Sequence, residues 1–414
     1  MAKQGAKTAV PRLRFPKFEG RPRWPLLKLG ARGKFVGGGT PSRENAEFWA
    51  GANPWISSSD VSDEEIRSVK PSRFITDEAV AQSATQAVPA GSVLIVSRVG
   101  VGKVAVSEEQ LYTSQDFANF YPSSDSPEFI AYLLKSRKSS LLAFNQGMAI
   151  KGFTRDDIAG LDVPIPSKPE QQEIADCLMS LDEVIAAQGR KVEALKAHKR
   201  GLMQQLFPRE GEIRPRLRLP EFRDAPEWAE ATIGSQSQSF SGGTPSTDDR
   251  SYYDGEIPFI RSAEIGSAFT ELSLTELGLR NSAAKLVEPG DVLVALYGAN
   301  SGDVALAKTS GAINQAILCV RPEGSKAYLY HFITARKEWI VATYLQGGQG
   351  NLSGEIVKSI RMQFPSFEEQ QRIADCLSSL DTQIIAESAQ LAALKTHKQG
   401  LMQNLFPVQS EQQR

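Results

Sequence analysis

Residues 170–208 read EQQEIADCLMSLDEVIAAQGRKVEALKAHKRGLMQQLFP, and residues 369–407 read EQQRIADCLSSLDTQIIAESAQLAALKTHKQGLMQNLFP. In the first stretch apolar side chains fall alternately four and three apart, at Ile174, Leu178, Leu181, Ile185, Val192, Leu195, Leu202 and Leu206, with polar breaks at Gln188 and Lys199. The second repeats this at Ile373, Leu377, Leu380, Ile384, Leu391, Leu394, Leu401 and Leu405, with breaks at Glu387 and Lys398. Such spacing is an a/d heptad seam, the mark of helix packed against helix. Ser167 and Ser366 stand at the helix starts, with Glu170 and Glu369 three residues on as a capping box asks, and Pro208 and Pro407 stop the helices. A helix of about 35 residues is about 50 Å long.

The chain around these stretches is written twice. PRLRFPKFEGRPRW at 11–24 returns as PRLRLPEFRDAPEW at 215–228, and GGTPS occurs at Gly38 and Gly242, both 204 positions apart. Pro54-Trp-Ile matches Pro258-Phe-Ile, and Gly91-Ser-Val-Leu matches Gly290-Asp-Val-Leu, by then 199 apart. The halves are paralogous and are predicted to fold alike about an approximate two-fold. Ahead of each long helix, short β signals mix with Gly and Pro punctuation. Val93–Val96 and 292–296 read as buried strands entered through a glycine turn, and 127–142 and 328–344 as helices. The expected class is α+β: globular parts at 1–167 and 209–366, the long helices at 168–208 and within 367–414. The two helices are expected to pair antiparallel as a coiled coil, though each could instead lie on its own domain. Antiparallel pairing would bring Gln188 to Glu387 and send Lys199 and Lys398 towards opposite ends, where a long stem reaches water.

With 47 Lys+Arg against 48 Asp+Glu and 41% hydrophobic residues among 414, the composition is globular and excludes disorder as the main state. No apolar run is long enough for a membrane span, and the basic start lacks the apolar stretch of a secretory signal. Three Cys and three His give neither a disulfide framework nor a zinc site, which points to a reducing cytoplasm. No paired carboxylates stand at a spacing that suits an acid–base pair. Phe35-Val-Gly-Gly-Gly and Asn53-Pro-Trp-Ile resemble adenine-methyltransferase signatures. The second proline is missing, however, and the spacing is too short for the intervening strands and helices, so the GGTPS turn explains the glycines better. Gly100-Val-Gly-Lys lacks the rest of a phosphate loop. His198 and His397 read as solvated or interface side chains, His331 has no twin, and Cys177 and Cys376 act as small apolar residues beside the seam. Charge is uneven. Residues 1–34 carry ten basic residues (Lys3, Lys7, Arg12, Arg14, Lys17, Arg21, Arg23, Lys28, Arg32, Lys34) against Glu19, with Phe15, Phe18 and Trp24 interleaved. That is either a nucleic-acid footprint or a solvated edge. Residues 1–167 hold 21 basic and 17 acidic groups, net +4, and residues 209–366 hold 16 and 19, net −3.

The doubled pattern, EQQ-x-IADCL-x-SLD leading each helix, GLMQ-x-LFP ending it and GGTPS heading each domain, resembles the specificity subunit of type I restriction–modification enzymes. The resemblance implies two target recognition domains, each reading one half of a split double-stranded DNA site. It implies helices that set the gap and bind two modification (methyltransferase) subunits, with restriction (motor/nuclease) subunits joining. The chain itself would carry no catalytic residue and no metal, and S-adenosylmethionine would be bound by the methyltransferase partner. Base reading needs donors and acceptors on loops. The candidates are Ser57, Ser59, Arg98, Lys103 and Gln115 in the first domain, and Arg261, Tyr297, Asn300, Asn314 and Gln315 in the second. The competing class is a two-headed protein scaffold without base reading.

Overall fold

The computed structural model describes residues 7–143, 152–209, 211–344 and 351–407; Lys3 and the tail after 407 lie outside them. The long helices run from Lys168 to Leu206 and from Phe367 to Leu405. Two compact units divide within them, one reaching Gln188 and resuming at Gln390, the other comprising Gly189–Ala389. Each unit is a β-rich head together with the start of one long helix and the end of the other.

In the first unit, Ile174, Ala175 and Leu178 share a core with Leu405 and Phe406, and the Phe406 ring lies 5.6 Å from that of Phe129. Further along, Asp182 meets Lys398, so the two helix segments run antiparallel. The second unit repeats this: Ile373, Ala374 and Leu377 pack with Leu206 and Phe207, and Asp381 meets Lys199 at 2.5 Å. All twenty a and d positions are buried or partly buried. Among the breaks, Glu387 accepts an ion pair from Lys191 at 2.6 Å within the second unit, while Gln188 belongs to the first.

Two expectations from the sequence are corrected. Lys199 and Lys398 do not extend to water: they are 9% and 8% exposed, and each ammonium is neutralised by an aspartate of the opposing helix. Glu170 and Glu369 do not close capping boxes. The first helical amides bond back to Ser167 and Ser366, while each carboxylate turns into the head. Arg14 Nε and Nη2 grip Glu170 at 2.6 and 2.8 Å, and Trp24 Nε1 donates to it at 3.2 Å. Arg218 grips Glu369 at 2.8 and 2.8 Å. The same arginines also donate to backbone carbonyls of Arg21 and Pro22, or of Ala225 and Pro226.

The repeated EQQ thus has a physical account. Its Glu binds the PRLR arm. Its first Gln accepts from the N–H of Ser126, or Ser325, at the start of the head helix beginning at Pro127, or Lys326. Its second Gln donates to Asp176, or Asp375, one turn on. The PRLR arms also satisfy orphan carbonyls at the helix ends, Leu13 N–H donating to Asn404 and Leu217 N–H to Gln205. Part of the basic arm is therefore internal wiring: Arg14, Lys17, Lys28 and Arg32 pair with Glu170, Glu173, Asp162 and Asp125.

Each head holds an antiparallel four-stranded sheet. In the first unit its order is Gly33–Gly37, Phe117–Pro122, Val93–Val96, Val104–Val106; in the second, Ser237–Ser241, Ile317–Pro322, Val292–Ala295, Val304–Leu306. Val93–Val96 and Val292–Ala295 are buried throughout, and Gly91 and Gly290 enter them at φ +76° and +86°. The predicted helix over 127–142 breaks at Arg137 into Pro127–Ser136 and Lys138–Ala143, whereas its counterpart runs unbroken over Lys326–Tyr344. A second sheet in each head contains a parallel strand pair, and that pair shapes the loop end of the head.

Candidate nucleic-acid interface

In the first unit Asn53–Ile56 runs parallel to Tyr112–Thr113, with Ile56 opposite Thr113. Parallel neighbours leave a sheet at the same end, so Ser57 and Ser114–Gln115 emerge side by side. Ser114 N–H donates to Ile56 O at 2.9 Å, and Ser97 N–H to Asp116 O at 2.7 Å, which brings the end of Val93–Val96 to the same place. Arg98 comes next, in a turn whose Gly100 and Gly102 sit at φ +84° and +87°. Lys103 closes it by donating to Ser58 O and Val61 O at 3.1 and 3.0 Å. All five first-domain candidates therefore lie in one loop cluster.

The second unit is built the same way. Tyr253–Ile260 runs parallel to Gly311–Ile313, so Arg261 leaves beside Asn314–Gln315. Leu296 N–H donates to Ala316 O at 2.8 Å, placing Tyr297 and Asn300 in the adjoining turn. That turn touches the helical turn Ser262–Glu264.

Within the clusters the side chains divide by what already holds them. Ser59, Arg98, Gln115, Tyr297 and Gln315 are exposed, and Asn300 is partly so. Ser57 caps Ser58–Asp60 and accepts from Arg73 at 2.6 Å. Asn314 stabilises its own turn, accepting from Ala316 N–H at 3.0 Å. Arg261 is shared between Glu264 and Glu271 at 3.1 and 2.5 Å, and hydrogen bonds to these carboxylates raise its pKa further. Burial alone would raise the Asp60 carboxyl, but bonds from Ser57 N–H, Ser72 and Arg73 outweigh it and hold it below its ordinary value. Sequence reasoning missed Arg73, whose guanidinium stacks 4.6 Å from the Trp55 ring and steadies the Ser57 loop.

GGTPS is the shared fixture beside each cluster. A Cβ at Gly38 would meet Ser114 O at 1.9 Å, and one at Gly242 would meet Ile313 O at 1.8 Å. Close backbone approach is what requires glycine there, within the tight turn read from the sequence. Thr40 and Thr244 then donate to Oε1 of Gln115 and Gln315 at 2.5 and 2.7 Å. The Pro is buried, and the Ser hydroxyl accepts from the N–H of Glu44 or Asp248.

The methyltransferase-like motifs are strands: Phe35–Gly37 lies in Gly33–Gly37 and the other is Asn53–Ile56. Among the described residues no His/Cys/Asp/Glu cluster has metal-binding geometry, and no helix is long and apolar enough to cross a membrane.

Against known families, the type I restriction modification DNA specificity domain matches this chain twice, over residues 24–197 and 226–396. The chain belongs to the type I restriction–modification DNA specificity family. Within that family, the specificity subunit of the MjaIX enzyme of Methanocaldococcus jannaschii is 27% identical over 285 residues, 65% of this chain and 65% of that protein. This chain thus spans just under two thirds of that relative's length. The EcoR124I/EcoR124II specificity subunit of Escherichia coli is 33% identical over 172 residues, 40% of this chain and 42% of the relative. Among solved structures, the S subunit of a type I system from M. genitalium superposes with a TM-score of 0.64 at 15% identity, covering 97% of this chain and 100% of that one. A chain from a study of complex assembly in the type I system gives 0.57 at 17% identity, covering 93% and 97%. These likenesses concern the fold. Both repeats in the family match contain a GGTPS-headed loop cluster and most of a long helix.

Proposed function

We propose that this chain is the DNA sequence-specificity subunit of a type I restriction–modification complex, each head reading one half of a bipartite site. The observation that carries this is one loop cluster built twice on the same scaffold with different side chains: Ser57 stands where Arg261 does, Arg98 where Tyr297 does, and Ser114 where Asn314 does. A common frame with divergent donors and acceptors suits two readers of two sequences. The long helices set the gap and dock two methyltransferase subunits, to which restriction subunits are added. The chain is not itself a catalyst, and the methyltransferase supplies bound S-adenosylmethionine. The complex works in the cytoplasm, on chromosomal and incoming DNA. The net −3 of residues 209–366 favours a second reading, a protein scaffold without base contacts; on that reading, exchanging a head leaves both halves of the methylated site unchanged.

Two measurements by methylome sequencing, in a host expressing this chain with its methyltransferase, check the reading. Exchanging residues 209–366 for another family member's domain is expected to change one half of the methylated site and leave the other. Alteration of both halves would end the two-reader model. Inserting four residues after Arg190 lengthens the helix by about 6 Å and rotates its distal part by about 40°, so the gap is expected to change or methylation to be lost. Full activity at an unchanged gap would remove the ruler role.

A further inference from the structure

We propose that Gln115 and Gln315 are matched backbone contacts: each donates its side-chain amide to a DNA phosphate at the same place in its own half-site, fixing register rather than sequence. This rests on the DNA-reading role of the heads. Three observations carry it. First, the neighbouring positions differ between the heads while the glutamine does not. A side chain that selects bases is expected to differ between heads that read different half-sites; an identical one suits what every duplex offers, its phosphates. Second, each glutamine is held by the same device. The GGTPS glycines allow the loop to seat against the backbone of the partner strand's end, and the threonine donates to the Gln Oε1 at 2.5 and 2.7 Å. Third, the hold is directional. Oε1 accepts from the threonine, and the NH2 of neither glutamine has a hydrogen-bond partner among the described residues, so its donors are the end left for a ligand. Reading adenine by the usual bidentate glutamine pairing also draws on Oε1 as an acceptor, and the threonine already occupies one of its two lone pairs. The unengaged donor complements a phosphate oxygen. Both glutamines are exposed, so the amide reaches a partner without rearrangement of the head.

The test uses the full chain in complex with its methyltransferase subunits, and duplexes carrying the site found by methylome sequencing. Gln115→Ala and Gln315→Ala are each expected to weaken binding by about three- to tenfold. The loss should be equal on cognate and scrambled duplexes, with unchanged half-site preference in selection from random duplexes. Gln115→Lys, which places a cation at the phosphate, is expected to restore affinity and to steepen the dependence of log K on log salt by about 0.9. In a scan of neutral methylphosphonates, one position in each half-site, at matching distance from the GGTPS-side strand, is expected to show no further loss on Gln→Ala. A changed base preference in either half-site would make the glutamine a base reader and overturn the proposal. So would unchanged affinity in both alanine variants, which would reduce the pair to loop support. Failure of the unaltered complex to bind any site preferentially would overturn the DNA-reading role as well, and is told apart from the other outcomes by that control.

Discussion

Glu369→Ala is expected to destabilise the second unit by about 3–5 kcal/mol, and Glu170→Ala to do the same to the first, because each strands a guanidinium in a largely dry site. The geometry leaves little room for compensation. Glu369 is 1% exposed, and the Arg218 that holds it has a side chain only 18% exposed. Two of the Arg218 donors bond to Glu369, and the guanidinium also reaches the carbonyls of Ala225 and Pro226. With the carboxylate gone, those carbonyls alone face a full positive charge. The loss should extend beyond one ion pair, because the arm that carries Arg218 also donates Leu217 N–H to the end of a long helix. Removing both partners together, as Arg218→Met with Glu369→Leu, should recover much of the loss, since an apolar pair of similar volume leaves no stranded charge. Urea unfolding of the full chain monitored by circular dichroism measures both. A loss below about 1 kcal/mol in the single variants would mean that the arginine finds water, and that the clamp is a surface ion pair.

That clamp also marks where sequence reading stops. The heptad seam was legible because its periodicity is local and repeated: Ile174 to Leu206 declares its buried face without knowledge of a partner. The duplication was legible for the same reason, and so were the buried strands behind Gly91 and Gly290. Glu170 was not legible. Three residues after Ser167 it satisfies a local capping rule, yet its partner Arg14 lies 156 positions away, and the long-range bond wins because it neutralises a buried charge. Lys199 and Lys398 were misread likewise. A lysine in a seam reads as a stem bound for water until an aspartate 182 or 216 positions away takes its ammonium. At the loop ends, the sequence identified polar residues near turns, and the parallel pairing of Asn53–Ile56 with Tyr112–Thr113 is what gathers them. Parallel pairing between distant short strands has no local signature. Nor did the sequence distinguish Gln115, whose amide is presented, from Lys103, whose ammonium is spent on two carbonyls.

The same buried Lys–Asp pair, capped differently in the two units, leads to the second large effect: the second unit is expected to lose about 2 kcal/mol between pH 7 and pH 5 through His331 alone. In the first unit, Tyr132 donates its hydroxyl to Asp182 at 2.6 Å, and Lys398 lies over its ring. The residue 199 positions on is His331, which is fully buried. Its Nε2 meets Ser378 Oγ at 3.0 Å, while Nδ1 finds no hydrogen-bond partner among the described residues and lies 4.0 Å from Asp381. Asp381 is already engaged by Lys199, and the Tyr330 ring lies tilted against the imidazole, 4.8 Å between centroids. Burial first, and the Lys199 charge second, push the imidazole down to about 3. In the unfolded chain a histidine titrates near about 6.5. Between those values the unfolded state binds the extra proton, so stability rises with pH there, by up to about 1.4 kcal/mol per unit. The contribution is complete above about pH 6.5 and is lost as pH falls towards the folded value. Aspartates and glutamates titrate mainly below this window, so pH 5–7 reports on histidines, and the difference from His331→Gln assigns the loss to His331. His331→Gln keeps a polar side chain at the Ser378 contact and removes the titration, so its stability should stay nearly flat where the unaltered chain declines. Urea unfolding of both chains at pH 7, 6 and 5 decides the matter: parallel declines would show that other groups cause the loss and that His331 binds its proton as readily in the folded unit as in the unfolded chain.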